Sequence, residues 1–338
     1  MAGEPLHLRQ SYPDLDSLTH GLRVALGVGE GLQVLQRNPM RLPHTFPSEV
    51  VTCRLADGRE LRLFCKYQKG EGHPSHGHRG GLAREAAVYR QVLMSSSSSA
   101  PHFYGTYRNR GGGEIWLVIE NIDSRRRVLD TTAPQQPGSG PQAGMMPKAA
   151  SWLGRFHAEH EMKPYLFREG FLTAYDFDYY NAWARRAALI AARQEIALPW
   201  VATVCARATE ELMRKLVDPP LTLIHGEFYP ANILVRDGVI YPVDWESAAI
   251  AAGEIDLAAL VEHWPAEISH RCRDEYVAAR YPRGEPPDLE LRLEAARLYL
   301  HFRWLGEHAG WNMNHRLSWR LEDLRVRSIQ LGLLPSPR

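Results

Sequence analysis

The 338-residue chain has few cysteines: Cys53, Cys65, Cys205 and Cys272 lie far apart, and no two form a C-x-x-C pair. Such scatter points to neither a disulfide framework nor a thiolate zinc site. Long apolar runs are missing too. No stretch approaches the roughly 18 apolar residues of a membrane span, and the N-terminal MAGEPLHLRQ lacks the apolar core of a signal peptide. Nor is there an excess of one charge: 40 Lys and Arg oppose 39 Asp and Glu, for a net charge of +1. A dedicated nucleic-acid binder is usually strongly basic. The expectation is a reduced, soluble, cytoplasmic protein that engages neither nucleic acid nor membrane; nothing in the pattern chooses an oligomeric state. What is present is ordinary globular composition, 44% hydrophobic and 23% charged, in a chain long enough for two domains.

The first part reads as strand-rich. Two β-like runs, Glu49–Leu55 and Glu60–Tyr67, flank Ala56-Asp57-Gly58-Arg59, and a D-G step between such runs signals a hairpin. Val51, Cys53 and Leu55 alternate with polar neighbours, as do Leu61, Leu63 and Cys65, so Lys66 points to the opposite face with Phe64. A helical pattern over Leu82–Met94 follows, with Ala86, Tyr89, Val92 and Leu93 on one face. The serine run Ser95–Ser99 reads as a flexible loop without core-forming content. Two more β-like runs, Phe103–Tyr107 and Ile115–Ile119, complete a β-β-α-β-β order by about residue 120.

A Pro-, Gly- and Gln-rich stretch, Thr131–Gly144, reads as an exposed loop, and the chain beyond it is mostly helical. Ala149, Trp152, Leu153, Phe156 and His157 form an amphipathic stripe, and helical patterns recur near 180–217, 288–308 and 316–331. The expected division is a lobe over residues 1–122 and a helical lobe over 123–338.

The chemistry concentrates where short β-like pieces interrupt the helices. His225-Gly226-Glu227-Phe228-Tyr229-Pro230-Ala231-Asn232 is followed by an apolar run, and a second run ends in Val243-Asp244-Trp245-Glu246. A carboxylate, an amide and a second carboxylate thus converge. Phosphoryl transfer uses that inventory: one carboxylate near the acceptor hydroxyl, then an amide and a carboxylate to hold Mg²⁺ on nucleotide phosphates. Lys66 and Glu85 add the ammonium–carboxylate pair that meets the α/β-phosphates.

These segments, with WLVIEN, AASWLGRFHAEH and GEIDLAAL in the same order, resemble the aminoglycoside phosphotransferase family, relatives of choline kinases with a protein-kinase-like fold. The resemblance implies an α+β, two-lobed architecture, with a five-stranded antiparallel sheet followed by a mostly helical lobe. It implies a kinase that moves the γ-phosphoryl group of ATP or GTP to a hydroxyl of a small molecule, antibiotic-like or amino-sugar-like. Glu227 would orient or deprotonate that hydroxyl. Asn232 and Asp244 would ligate Mg²⁺, with Glu246 contributing to a second ion. Lys66 and Glu85 would serve the phosphates, and the backbone of Glu120–Ile122 would face the purine ring. His225 would prop the loop and Asp256 would brace it.

Two positions depart from the family pattern. Glu227 stands where Asp is usual, and the extra methylene moves the carboxylate by about 1.5 Å, where a misplacement of ~1 Å can cost ~100-fold in rate. That departure favours an alternative, a nucleotide- or small-molecule-binding pseudokinase. The segment His44–Glu49, expected to cover the phosphates, has no glycine, leaving Thr45 and Ser48 as candidate donors. Other residues admit two readings each. His73, His76 and His78 sit among Gly, Pro and Ser, too loose a frame for metal geometry. Arg125–Arg127 reads as a solvated turn or as anion recognition. Asp176 and Asp178, among the aromatics Tyr175–Tyr180 and Trp183, meet a cationic substrate or merely flank core. Glu262, His263 and Trp264 end a helix starting near Asp256 and form a substrate wall or a plain helix end. Trp304, Trp311 and Trp319 are expected to stitch the terminal helices together.

Overall fold

The computed structural model describes residues 12–40, 46–70, 75–109, 111–122, 143–164, 170–194, 198–307 and 315–336. Thr45, His73, Arg125–Arg127, Trp311 and nearly all of Thr131–Gly144 lie outside them.

The chain opens with α1 (Leu15–Leu26), started by the Asp14 side chain accepting from the Ser17 N–H and stopped by left-handed Gly27. Next come β1 (Gln33–Pro39), β2 (Ser48–Arg54), β3 (Glu60–Lys69), α2 (Gly81–Val88), β4 (Phe103–Arg108) and β5 (Glu114–Glu120). The five strands form one antiparallel sheet in the order β1-β2-β3-β5-β4. Alternation divides its faces. Val51, Cys53, Leu63, Cys65, Trp116 and Val118 pack beneath α1, while Leu117 and Ile119 join α2 and the helical part of the chain in a second, larger core. The helix read over Leu82–Met94 is α2 followed by a π-helical turn at Tyr89–Leu93. All four cysteines are buried free thiols.

The second part contains α3 (Met146–His160), β6 (Thr173–Ala174), α4 (Phe177–Ala192), α5 (Pro199–Glu211), β7 (Thr222–Ile224), β8 (Ile233–Arg236), β9 (Val239–Pro242) and β10 (Ala249–Ala251). It ends with α6 (Glu254–Leu260), α7 (Ala266–Arg280), α8 (Leu289–Glu307) and α9 (His315–Gln330). The α3 stripe is buried as its periodicity predicts. At Gly154 a β-carbon would stand 2.6 Å from the Tyr276 carbonyl oxygen, which is how closely α3 and α7 approach. Tyr175, Tyr180 and Trp183 are core residues. Trp304 and Trp319 do join the last two helices, with the Arg320 guanidinium 4.7 and 5.1 Å from their rings. No helix among the described residues is long and apolar enough to cross a membrane.

The serine run is not a loose loop. Ser96 and Ser97 hydroxyls donate to Glu159 at 3.2 and 2.7 Å, and the Ser97 N–H donates to it at 3.0 Å. Ser99 donates to the Ile240 carbonyl at 2.6 Å and accepts from Trp152 at 3.1 Å. Low hydrophobicity hid this, because the run is held by hydrogen bonds rather than by apolar burial. Glu159→Ala is expected to destabilise the protein by about 1 kcal/mol and to speed amide exchange at Ser97; unchanged protection there would refute the tether.

Candidate active site

Strand β3 carries Lys66 on the cleft face, opposite Leu117 of β5 and Ser48 of β2. Its ammonium lies 3.1 and 2.9 Å from the two Glu85 oxygens and 2.6 Å from Asp244 Oδ1. Burial alone would favour the neutral amine, but Asp244, Glu85 and Glu246 hold Lys66 charged and push its pKa up. Glu85 can stand fully buried because α2 delivers it directly to this ammonium.

Asp244 follows β9 in the left-handed conformation, φ 73° and ψ 57°. Aspartate tolerates this region better than most residues. The turn aims the carboxylate back across the cleft at Lys66. Asn232 ends the 3₁₀ turn before β8, and its Nδ2 donates to the Glu227 carbonyl at 3.0 Å. That bond uses the amide nitrogen, so the side chain's other polar atom is the acceptor Oδ1. Lys66, Glu85, Glu120, Ile122, Asn232 and Asp244 all line one cavity, walled also by Val50, Phe64 and Leu234. Six side chains read from separate motifs therefore meet at one place.

The His225–Asn232 segment is held from below by Asp256. Its Oδ2 accepts the His225 N–H at 2.6 Å and its Oδ1 the Gly226 N–H at 2.9 Å, with His157 Nε2 at 3.3 Å. Burial pushes this carboxyl up to about 6 against those donors. Gly226 has φ 82°, and a β-carbon there would sit 2.2 Å from the Ser247 carbonyl oxygen, so no other residue fits. His225 Nε2 donates to the Val243 carbonyl at 2.9 Å and Nδ1 accepts the Glu227 N–H at 3.3 Å. These partners fix one neutral tautomer, and burial lowers the His225 pKa accordingly. His225 is the prop that the sequence suggested, joining the Glu227 segment to the Asp244 segment.

Glu227 itself is 7% exposed and faces two guanidinium groups and an imidazole. Arg79 Nη2 lies 3.2 Å from Oε1, Arg303 Nη1 3.3 Å and His78 Nε2 3.5 Å. Burial raises its pKa, but His78 and the two arginines outweigh burial and hold it well below the usual carboxylate range. His78 is neutral, pushed down to about 4 by burial, with Nδ1 3.0 Å from the Tyr175 hydroxyl.

The metal expectation is testable on charge. Glu246 is 1% exposed, its Oε2 has no hydrogen-bond partner among the described residues, and burial together with nearby Asp244 pushes it up to about 8. Glu85, Asp244 and Glu246 set three carboxyl groups around one ammonium, and their mutual repulsion when ionised is what a divalent cation beside them would relieve. Among the described residues no group of three or more His, Cys, Asp or Glu forms a metal cage by itself. Mg²⁺ is commonly bound by one or two carboxylates plus substrate phosphates, so the set fits.

Several expectations need correction. Ser48 and Glu49 belong to β2 rather than to a phosphate-covering loop. Ser48 lies on the Lys66 face with a buried, unpartnered hydroxyl among the described residues, yet it does not line the cavity. Glu49 faces the other way, paired with Arg37 at 2.6 Å and accepting from Tyr67 at 2.7 Å. The Glu120 and Asn121 N–H groups are already taken by the His102 and Arg62 carbonyls. The Glu120 carboxylate pairs with Arg236 at 2.5 Å.

Asp176 is the N-cap of α4, accepting from the Tyr179 N–H at 2.8 Å, and Asp178 is exposed in the first turn. Both carboxylates suit the helix dipole there. Helix α6 ends at Leu260, so Glu262–Trp264 form a turn beyond it, with His263 at φ 63°. Glu262 makes a two-pronged ion pair with Arg320 at 2.8 and 2.7 Å. It lines a second cavity of ≈ 550 Å³ shared with Trp264, His301 and Trp319.

The reading from sequence missed Arg79 and Arg303. Arg79 sits in a Gly- and His-rich connection with no periodic signal. Arg303 left one: it interrupts the apolar run Leu300–Leu305 of α8, where a buried arginine must have a partner.

The macrolide 2'-phosphotransferase of Brachybacterium faecium, as apoenzyme, is 17% identical, with 96% of this chain and 99% of that chain covered and a TM-score of 0.57. Aminoglycoside 2'-phosphotransferase-IIIa in its GDP complex is 12% identical over 94% of this chain and 100% of that one, with a TM-score of 0.63. An amicoumacin kinase in complex with AMP-PNP, Ca²⁺ and Ami is 15% identical over 96% of both chains, with a TM-score of 0.59. Identities this low establish a shared fold, that of protein-kinase-like phosphotransferases. No curated protein matches the sequence. The model of the phosphotransferase enzyme family matches residues 57–291, well over half of the chain and spanning Lys66 through Asp256. The chain belongs to that phosphotransferase family.

Proposed function

We propose that the protein is a small-molecule kinase that transfers the γ-phosphoryl group of ATP or GTP to a hydroxyl. The observation that carries this reading is Lys66, which bridges Glu85 and Asp244 in the cavity that Asn232 also lines. The lobe up to residue 122 supplies Lys66 and Glu85, and the helical lobe supplies Glu227, Asn232 and Asp244. The bound GDP and AMP-PNP of structurally similar proteins support a nucleotide in this cleft.

Lys66 meets the phosphates while Glu85 keeps its direction. With the Glu120 and Asn121 N–H groups occupied, Ile122 is left to offer an N–H to the purine edge. Asn232 Oδ1 and the Asp244 carboxylate are the groups that would hold Mg²⁺, with Glu246 beside them. When bound, the ion supplies charge neutralisation on the phosphates. Glu227 accepts the acceptor's O–H proton as the acceptor oxygen bonds the γ-phosphorus. The bond from that phosphorus to the β,γ-bridging oxygen breaks, and the nucleoside diphosphate leaves with its electron pair. Positioning and electrostatics provide most of the catalysis in such transfers.

The pseudokinase reading has one observation behind it, the cations gathered on Glu227. The hydrogen bonds from Arg79 and Arg303 both go to Oε1, however, which leaves Oε2 as the oxygen for the acceptor. Calorimetric titration with ATP and with GTP, each with and without Mg²⁺, tests the proposal. Binding of one nucleotide that tightens at least tenfold with Mg²⁺ is expected. Silence with both nucleotides would end the kinase reading.

A further inference from the structure

We propose that Arg303, with Arg79, anchors Glu227 through Oε1 so that Oε2 is presented to the acceptor hydroxyl, which makes Arg303 a positioning residue for the transfer. The inference rests on the reading of Glu227 as the proton acceptor. Its origin is the extra methylene. A glutamate in an aspartate's place has one more rotatable bond, and a carboxylate free to swing by an ångström forfeits about 100-fold in rate. Something must hold it.

The holder is visible. Two donors converge on Oε1, Arg79 Nη2 at 3.2 Å and Arg303 Nη1 at 3.3 Å, with His78 Nε2 3.5 Å away. Arg303 is itself buried and held on two sides. Its side chain is 3% exposed, Nη2 donates to the Tyr229 hydroxyl at 2.7 Å and Nη1 lies 3.5 Å from Glu307. Tyr229 is two residues beyond Glu227, so one guanidinium fixes the carboxylate and the loop that carries it. Arg79 is less confined, 23% exposed, and shared with Glu246 at 3.5 Å and Glu307 at 3.8 Å.

Stability alone explains this arrangement poorly. A buried ion pair seldom outperforms well-packed apolar side chains, because desolvation offsets the attraction. Arg303 even leaves its Nε buried without a partner among the described residues. The fold tolerates that cost at a place where an oriented carboxylate is needed.

Charged and titratable groups face the pair from several elements, Tyr175 and Tyr179 around the start of α4 among them. The connection before α2 contributes His78 and Arg79, and the catalytic loop contributes His225 and Tyr229. Helix α8 contributes Tyr299 and Glu307, and Asp244 and Glu246 stand behind His225 and Arg79. Loss of the anchor must then lower kcat while nucleotide affinity holds, a split that mere loosening of α8 does not produce.

The test uses the intact chain and slow hydrolysis of the Mg²⁺–nucleotide, with water as acceptor, alongside calorimetric nucleotide affinity. Glu227→Gln should nearly abolish hydrolysis. If it does not, the base reading itself fails. Arg303→Met should lower kcat by about 10- to 100-fold and leave nucleotide affinity within twofold. Arg303→Lys, which keeps charge but loses the fork to Tyr229, should recover only part of kcat. Arg79→Met, at the more exposed partner, should lower kcat in the same direction without threatening the fold. Glu227→Asp should lose activity in the wild-type background and little more in the Arg303→Met background. If Glu227→Gln is inactive while both arginine-to-methionine variants keep kcat within twofold of wild type, the anchoring proposal is overturned and the kinase reading stands.

Discussion

Asp244→Asn is expected to reduce phosphoryl transfer at least ~1,000-fold, roughly 4 kcal/mol of transition-state stabilisation. Asparagine also tolerates the left-handed backbone, so the fold at φ 73° should persist and the change isolates the charge. Two losses coincide. The carboxylate that would face the metal disappears, and Lys66 loses its partner at 2.6 Å, keeping only Glu85. Nucleotide binding should survive in weakened form but no longer tighten with Mg²⁺. Turnover within tenfold of wild type, measured with the preferred Mg²⁺–nucleotide, would show that Asp244 holds no metal.

Asp256→Ala should be among the most damaging substitutions for stability. It strips partners from two buried backbone N–H groups at 2.6 and 2.9 Å and from His157. Removing one side of a buried polar network typically costs about 3–5 kcal/mol. His225 and Gly226 open the catalytic loop, so activity should fall with stability. The pH dependence has a defined sign. The folded carboxyl is pushed up to about 6 from an ordinary value of 3.8. Between those values the folded state binds more protons than the unfolded one, so this group's contribution is full below pH ~4 and lost as pH rises through ~6. Denaturant unfolding of wild type and Asp256→Asn across that window reads the difference. A constant gap between the two would contradict the raised value.

Much of this site was legible because its members sit in local patterns. Lys66 follows from strand alternation, Glu85 from a helix begun just upstream, and Asn232 and Asp244 from two short β-runs around a turn. Asp256 and His225 brace the loop as their positions suggested. Local patterns fail where partners are remote. Glu227 and Arg303 are 76 residues apart, and Glu227 and Arg79 are 148 apart. No periodicity encodes such pairs. Asp176, Asp178 and Glu262 were open to a substrate role for the same reason: a carboxylate looks alike in sequence whether it caps a helix, pairs with Arg320 or awaits a ligand.

The sequence by itself determined the alternation, the amphipathic stripes and the ordered motifs, and with them the two-lobed α+β architecture and the family. Only the tertiary structure decided what Glu227 is. In sequence it is one methylene too long. In the fold that length reaches the guanidinium groups of Arg79 and Arg303, which burial in a low-dielectric interior makes strong partners. Charge pairing across the chain depends on distance in space, and distance in space exists only once the core has packed.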